Sequence, residues 1–177
     1  MHPLEVEEAL KTLTVLIDTR EQPTAALSRR MTKFPRHQRE KLNAGDYSGK
    51  LLINGNWFQL PVAIERKMSI DELCNCYCQQ RPRFEREFDR AKEAKTKLYL
   101  LVEGGSWEYI YNDMYQSHMR PRSLVASILS WLSRYDCQLL MCKSSTSGQL
   151  IWDILYYEAR TCLLGMVADE QREPVSD

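Results

Sequence analysis

The chain is expected to adopt an α/β fold in which a central mixed β-sheet is flanked by helices. Short apolar, β-branched runs such as residues 13–17 and 97–102 are typical of buried strands. Apolar residues recur at helical spacing in residues 123–135. After residue 60 the two patterns alternate, which favours a sheet covered by helices on both faces.

The first half of the chain is predicted to contain two helices, a strand and a hairpin. Residues 4–11 form a short helix, and the strand at 13–17 ends at Asp18. Pro23 opens a helix that reaches about residue 33, because proline is favoured in a first helical turn. Residues 36–42 are either strand or loop. Residues 45–53 and 57–65 are two strands joined at Asn54-Gly55, a dipeptide typical of hairpin turns.

The second half is predicted to alternate helices with strands. Ser69 caps a helix and Glu72 completes a capping box, and this helix extends to about residue 95 with a break at Pro82. Strands follow at 97–102 and 138–142, and helices at 123–135 and 148–166. Residues 106–120 form an irregular, tyrosine-rich insertion between them.

The length of 177 residues suits one domain. We expect an N-terminal helical extension (1–12), a main domain (13–166) and a flexible acidic tail (167–177). Lys and Arg equal Asp and Glu at 24 each, so a nucleic-acid surface would require segregated charge. The sequence has no apolar run long enough for a membrane span and no secretory signal, so we expect a cytoplasmic protein whose six cysteines are thiols.

Three carboxylates are expected at the ends of neighbouring strands: Asp18, Asp46 and Glu65. Carboxylates at one place repel each other unless a cation neutralises them, and oxygen ligands suit Mg²⁺ or Mn²⁺. Lys67 alternates with Glu65 along the strand, so both side chains point to the same face. Arg66 points to the opposite face, and its carbonyl stays free to coordinate a metal. The pattern indicates metal-dependent hydrolysis of a phosphodiester.

The order of these motifs resembles the XPF family, a branch of the PD-(D/E)xK nucleases with a restriction-endonuclease-like core. The matching segments are Asp18-Thr19-Arg20-Glu21, Gly45-Asp46-Tyr47, Ile64-Glu65-Arg66-Lys67 followed by Asp71, and Leu101-Val102-Glu103. Together they cover most of the chain, so residues 13–166 are identified as an XPF-type nuclease domain.

The resemblance implies that Asp46 and Glu65 are the principal metal ligands, with Asp18 nearby, and that Lys67 is the catalytic lysine. It also implies supporting roles at the site or on the DNA for four further residues: Arg20, Glu21, Arg66 and Asp71. The implied reaction is hydrolysis of DNA near flaps, forks or junctions. XPF-type nuclease domains dimerise, so a homodimer is expected, and a stand-alone domain is typical of bacteria and phages. DNA repair, recombination and phage DNA processing all remain open.

Basic side chains outside these motifs are candidates for binding DNA phosphates without reading sequence. The family's glycine–arginine turn corresponds to either Arg81 or Arg83, and Arg83 is preferred because Phe84 and Glu87 continue the pattern. The helix that follows mixes charges at i, i+3 and i, i+4 spacing, which favours an exposed face. The DNA-binding candidates are Arg29, Arg30, Lys33, Arg36, Arg39, Lys41, Arg83, Arg120 and Arg122.

Two alternative functions are compatible with the motifs. A junction resolvase of the wider superfamily would cut branched DNA symmetrically as a dimer. A catalytically silent DNA-binding or scaffold subunit would pair with an active nuclease. An inactive subunit is expected to lose the motif residues, and this chain retains Asp46, Glu65 and Lys67.

Overall fold

A single mixed β-sheet of seven strands forms the centre of the computed structural model, which describes residues 3–170. The strands are β1 (Thr14–Asp18), β2 (His37–Glu40), β3 (Tyr47–Ile53), β4 (Asn56–Gln59), β5 (Val62–Lys67), β6 (Lys97–Glu103) and β7 (Gln138–Cys142). The strand order is β2-β1-β3-β5-β6-β7, and β4 pairs with the outer part of β3. Strand β3 is antiparallel to both β1 and β5, whereas β5, β6 and β7 are parallel.

Helices cover both faces of the sheet, so the predicted architecture is confirmed. The helices are α1 (Pro3–Lys11), α2 (Ala25–Met31), α3 (Ile70–Cys78), α4 (Arg81–Glu93), α5 (Trp107–Tyr111), α6 (Pro121–Tyr135) and α7 (Ser144–Glu170). Helices α1, α2 and α7 enclose one apolar core, and α3, α4, α5 and α6 enclose the other. The second core contains an aromatic cluster in which Trp131 lies 5.5 Å from Phe88 and 5.2 Å from Tyr135, measured between ring centroids.

Several element boundaries differ from the predicted ones for local chemical reasons. The strand expected at residues 57–65 is two strands, because Pro61 lacks the N–H that a continuous ladder requires. Helix α2 begins after Thr24, whose hydroxyl accepts a hydrogen bond from the Leu27 amide. Ser106 caps α5 in the same way, so the predicted insertion contains a helical turn.

The two ends of the domain pack as helices. Val6, Ala9 and Leu10 of α1 are buried in the first core, so the predicted N-terminal extension is part of the domain's packing. Helix α7 begins at Ser144 and reaches Glu170, which makes residues 167–170 of the predicted tail helical. Residues 171–177 of that tail, and residues 1–2, lie outside the described residues. Among the described helices, none is both long and apolar enough to span a membrane.

The strand register brings the predicted carboxylates to one edge of the sheet. Ile17 pairs with Tyr47, and Tyr47 pairs with Ile64. The next positions outward are Asp18, Asp46 and Glu65, which therefore lie side by side on the face covered by α3 and α4. The mixed sheet thus delivers the end of β1, the start of β3 and the end of β5 to the same place.

Candidate active site

An open cleft of about 260 Å³ lies at this edge of the sheet, between the end of β5 and helices α3 and α4. Six of the eight predicted catalytic residues line it, whereas Asp18 and Asp71 do not. Most of the lining side chains are charged, with both signs present. The lining residues are Arg20, Glu21, Asp46, Glu65, Arg66, Lys67, Glu72, Asn75, Cys76, Gln80, Arg83, Phe84 and Glu87.

Backbone hydrogen bonds to the neighbouring strands β5 and β1 position Asp46. Its amide donates a 2.8 Å hydrogen bond to the Ile64 carbonyl, and its carbonyl accepts a 2.8 Å bond from the Asp18 amide. Its Oδ2 accepts a 2.8 Å bond from the Arg66 amide. Gly45 precedes it with φ +72°, and a Cβ there would lie 3.0 Å from the Ile64 carbonyl oxygen. The turn into β3 therefore requires glycine.

Glu65 and Lys67 form a buried ion pair on the cleft side of β5. The Lys67 ammonium donates a 2.6 Å hydrogen bond to Glu65 Oε1, and both residues are buried. Lys67 also lies 5.2 Å from the Phe84 ring centroid and 4.0 Å from a Glu72 oxygen. The second oxygen, Glu65 Oε2, is buried without a hydrogen-bond partner among the described residues. A buried carboxylate oxygen without a donor is costly, and it is the feature expected of a ligand site.

Asp46 and Glu65 hold protons more tightly than isolated carboxylates do. Burial raises the pKa of Asp46 well above its ordinary value, and the negative charges of Glu65 and Glu21 raise it further. Burial also raises the pKa of Glu65, which Lys67 partly offsets. Burial alone would lower the pKa of Lys67, but Glu65 and the other groups around it outweigh this and raise it. Lys67 is therefore a stable cation beside carboxylates that favour neutralisation.

Asp18, which was predicted as a metal ligand, has N–H donors on both of its carboxylate oxygens. Its Oδ1 accepts 2.7 Å hydrogen bonds from the Arg20 amide and Nε, and its Oδ2 accepts bonds from Arg20 Nη2 at 3.0 Å and the Leu42 amide at 2.8 Å. Burial raises the pKa of Asp18, but these donors outweigh that effect and lower it. Because both oxygens are saturated with N–H donors, the geometry does not support metal binding by Asp18. Asp18 instead orients Arg20 at the cleft.

Arg66 and Glu21 enter the cleft from the opposite face of the sheet. Arg66 Nη1 lies 3.3 Å from Glu103 Oε2, and Arg66 Nη2 lies 3.8 Å from Glu21 Oε2. Arg66 Nε is buried without a partner among the described residues. The two faces are therefore connected at the sheet edge, with Lys67 on one and Arg66 on the other.

Asp71, which was predicted to support the site or the DNA, does not line the cleft. Its Oδ1 accepts hydrogen bonds from the amides of Gln116 at 2.8 Å and Ser117 at 2.7 Å. These bonds tie the segment before α6 to the start of α3. Asp71 therefore anchors a loop beside the start of α3.

Among the basic residues predicted to bind DNA, Arg30 is buried and the others are exposed. Arg30, which was predicted to contact DNA, is 3% exposed, and its guanidinium is ion-paired inside the domain. Arg36 and Arg39 are exposed, but their guanidinium groups donate to backbone carbonyls of Lys11 and Thr19, respectively. Arg83 is exposed and lines the cleft. The other exposed candidates are Arg29, Lys33, Lys41, Arg120 and Arg122.

Helices α3 and α4 contribute cleft residues that were not selected from the sequence. Glu87 is 14% exposed in its side chain and lies 3.8 Å from Arg20, so α4 is not the purely exposed, salt-bridged helix that its charge pattern predicted. Its charge also raises the pKa of Glu65. Glu72 accepts a 2.7 Å hydrogen bond from the Met68 amide. Phe84 and Glu87 of α4 share one face with Arg83, which was selected, and with Gln80, which caps the helix; their i, i+3 and i, i+4 spacing was the available signal.

The residues present fit a hard divalent cation. Among the residues that the structure describes, no group of three or more His, Cys, Asp or Glu side chains is arranged to hold a metal ion. A cation would therefore depend on Asp46 and Glu65, which supply carboxylate oxygens. Mg²⁺ is often held by one or two carboxylates together with water and phosphate oxygens. The partnerless Glu65 Oε2 is the oxygen best suited to it.

The fold is that of an XPF-type nuclease domain. A family model described as the ERCC4 domain matches residues 17–151. Because the match spans most of the chain, the chain belongs to the ERCC4 domain family, the family of XPF structure-specific DNA endonucleases. None of the curated proteins matches the chain.

Two solved structures are similar in fold. XPF from Aeropyrum pernix is 21% identical with a TM-score of 0.56, and the match covers 84% of this chain and 61% of that one. XPF from Aeropyrum pernix in complex with DNA is 21% identical with a TM-score of 0.57, covering 93% of this chain and 68% of that one. This chain thus spans about two thirds of those proteins, and at this identity the likeness establishes the shared fold.

Proposed function

We propose that the chain is a divalent-metal-dependent endonuclease that hydrolyses phosphodiesters in branched DNA such as flaps, forks or junctions. The observation that carries the proposal is the cluster of Asp46, Glu65 and Lys67, in which the buried Glu65 Oε2 has no hydrogen-bond partner within residues 3–170. Without a bound cation this arrangement costs free energy, because two carboxylates that are removed from water lie side by side. Buried, mutually repelling carboxylates in a cleft are expected at a ligand-binding or catalytic site.

Asp46 and Glu65 would hold Mg²⁺ or Mn²⁺. When bound, the ion would neutralise phosphate charge and lower the pKa of a coordinated water. The raised pKa of Lys67 keeps its ammonium protonated, so Lys67 would act as a hydrogen-bond donor rather than as a base. Lys67 Nζ would stabilise negative charge developing on a phosphate oxygen, as preorganised donors do.

The arginines around the cleft would bind the phosphates on either side of the scissile bond. Arg20 is oriented by Asp18, Arg66 is oriented by Glu103, and Arg83 lies at the rim. A forked guanidinium suits the geometry of phosphate oxygens. The exposed basic residues that the sequence analysis selected would position the DNA without reading its sequence. Beyond the cleft these are Arg29, Lys33, Lys41, Arg120 and Arg122. The solved complex of XPF from Aeropyrum pernix with DNA supports this choice of substrate.

A homodimer is part of the proposal. Helices α6 and α7 carry three exposed apolar side chains, Leu129, Tyr157 and Leu164, at 52%, 63% and 43% exposure. Exposed apolar side chains on helices are candidate interface residues. Trp131 is buried in the aromatic cluster, so it is a core residue and does not belong to that surface.

The test is cleavage of labelled duplex, single-stranded, flap, fork and four-way-junction DNA in Mg²⁺, Mn²⁺ or EDTA. Lys67→Ala and Asp46→Asn would be compared with the wild type. Lys11→Ala is a matched control, because Lys11 is an exposed lysine on α1 whose ammonium pairs with the exposed Glu8. Metal-dependent cutting of branched DNA that is lost in both site variants and retained in the control would support the proposal.

The other outcomes identify the alternatives. Symmetric cutting confined to four-way junctions would indicate a resolvase. DNA binding without cutting, unchanged in both site variants, would refute the enzyme and indicate a scaffold subunit that requires an active partner.

A further inference from the structure

Two buried and two partly buried side chains form a closed ring of ion pairs behind the cleft, on the face covered by α2 and α7. Glu103 lies between two arginines, with Oε1 at 3.5 Å from Arg30 Nη1 and Oε2 at 3.3 Å from Arg66 Nη1. Glu21 Oε2 closes the ring at 3.6 Å from Arg30 Nη2 and 3.8 Å from Arg66 Nη2. Two positive and two negative charges therefore alternate, and the ring is neutral.

Tyr47 adds a directional contact to this ring. Arg30 Nε donates a 2.9 Å hydrogen bond to the Tyr47 hydroxyl, which in turn donates to Glu21 Oε2 at 3.3 Å. The Tyr47 ring is fully buried and packs against Phe34 at 6.1 Å between centroids. Since Arg30 uses three of its nitrogens and a rigid phenol fixes one of them, its guanidinium has one defined orientation.

Burial decreases around the ring toward the cleft. Side-chain exposure is 3% for Arg30 and 6% for Glu103, but 15% for both Arg66 and Glu21. Arg66 and Glu21 line the cleft, whereas Arg30 and Glu103 do not. The ring thus has an inner half that contacts no substrate and an outer half that faces it.

The backbone that carries Arg30 is itself held by a close helix contact. A Cβ on Gly148 of α7 would lie 2.9 Å from Arg30 Cα and 3.0 Å from the Arg30 carbonyl oxygen. Both are backbone atoms, so they cannot move aside as a flexible side chain would. Gly148 therefore lets α7 press directly on α2 at the residue whose side chain reaches the ring.

We infer that Arg30 is a positioning residue, which through Glu103 and Glu21 fixes the Arg66 guanidinium at the cleft. The physical reason is charge balance. Without Arg30, two carboxylates with one cation remain in a dry environment, and both would draw the Arg66 guanidinium inward, away from a phosphate. For its kinetic test the inference rests on the proposed nuclease activity, whereas its spectroscopic test does not.

The kinetic test is a double-mutant cycle between Arg30→Met and Arg66→Met on a cleaved branched substrate, measured well below the unfolding midpoint of the least stable variant. Arg30→Met should lower kcat by roughly ten- to a hundredfold, since small misplacements of a positioning group have effects of that order. In an Arg66→Met background, Arg30→Met should have almost no further effect. Arg86→Met, an exposed arginine of α4, is the control and should cut like the wild type.

A conservative variant separates positioning from folding. Arg30→Lys keeps the positive charge but loses the forked geometry, so it should retain wild-type stability better than Arg30→Met while still lowering kcat. If the losses from Arg30→Met and Arg66→Met simply multiply in the double variant, Arg30 acts independently of Arg66 and the inference is overturned.

The spectroscopic test follows the arginine Nε–H signals by ¹H–¹⁵N NMR, with the Arg66 signal assigned from Arg66→Lys. Arg30→Met should shift the Arg66 signal and speed its exchange with water. The Arg20 signal should stay in place, because Arg20 pairs with Asp18 on the other face of the sheet. An unchanged Arg66 signal would overturn the inference even if the chain cleaves no DNA. An altered signal in a chain without activity would instead leave the inference standing and refute the proposed function.

Discussion

Replacing Gly148 with alanine tests the close contact between α7 and α2, and the chain provides its own control. Gly148 and Gly165 both lie in α7. A Cβ on Gly165 would meet nothing within 4 Å, whereas a Cβ on Gly148 would meet the backbone of Arg30 at 2.9 Å. The two substitutions make the same chemical change in the same helix, and they differ in the space available.

The magnitudes follow from the two sites. Alanine is favoured over glycine in a helix interior by about 0.8–1.0 kcal/mol, which is the full effect expected at Gly165. At Gly148 the same gain is opposed by a backbone overlap, and overpacking of this kind costs about 1–3 kcal/mol. The free energies of unfolding of the two variants should therefore differ by about 1–3 kcal/mol. For a domain of this size, that corresponds to a difference in Tm of roughly 2–12 °C.

The assay is thermal unfolding of both variants and the wild type, followed by circular dichroism. Gly165→Ala should raise Tm above the wild-type value, and the Tm of Gly148→Ala should be clearly lower than that of Gly165→Ala. Equal increases in Tm for the two variants would refute the reasoning, since they would mean that α2 does not approach α7 as closely as described.

Three further predictions concern the cleft and its surroundings. Asp46→Asn should stabilise the metal-free protein at neutral pH, and Mg²⁺ should raise the Tm of the wild type but not of the variant. Lys67→Met should cost about 3–5 kcal/mol of unfolding free energy by urea denaturation, because Glu65 is left buried and unpaired, and adding Glu65→Gln should recover most of it. Asp71→Ala removes an ionised acceptor, whose hydrogen bonds contribute about 1.5–3 kcal/mol, so the Gln116 and Ser117 amides should exchange with solvent at least tenfold faster.

The sign of the Asp46 effect follows from its pKa. Burial raises the folded-state pKa of Asp46 above the unfolded value, so the folded protein binds this proton more tightly. The wild type is therefore favoured at low pH, and that stability is lost as pH rises through the folded pKa. The advantage of Asp46→Asn should shrink on acidification, and an advantage that grows in acid would contradict the assignment. If the double variant Lys67→Met/Glu65→Gln is no more stable than Lys67→Met, Glu65 and Lys67 do not form a buried ion pair. If the Gln116 and Ser117 amides exchange at the wild-type rate in Asp71→Ala, Asp71 does not anchor that loop.

The sequence by itself determined the fold class and the centre of the cleft, because both depend on local periodicity. Apolar runs marked the strands, and their alternation with helical patterns predicted a sheet covered on both faces. Glu65 and Lys67 alternate along one strand, so a shared face followed from the geometry of a strand alone.

Only the tertiary structure decided what each charged side chain pairs with. Asp18 is a carboxylate at a strand end, as a metal ligand would be. Its oxygens nevertheless accept hydrogen bonds from the Arg20 side chain and from the amide of Leu42, 24 residues away. Arg30 belongs to a basic stretch, yet it turns inward to Glu103, 73 residues away. Strand order and helix packing set such contacts between distant residues, and local sequence patterns carry no information about them.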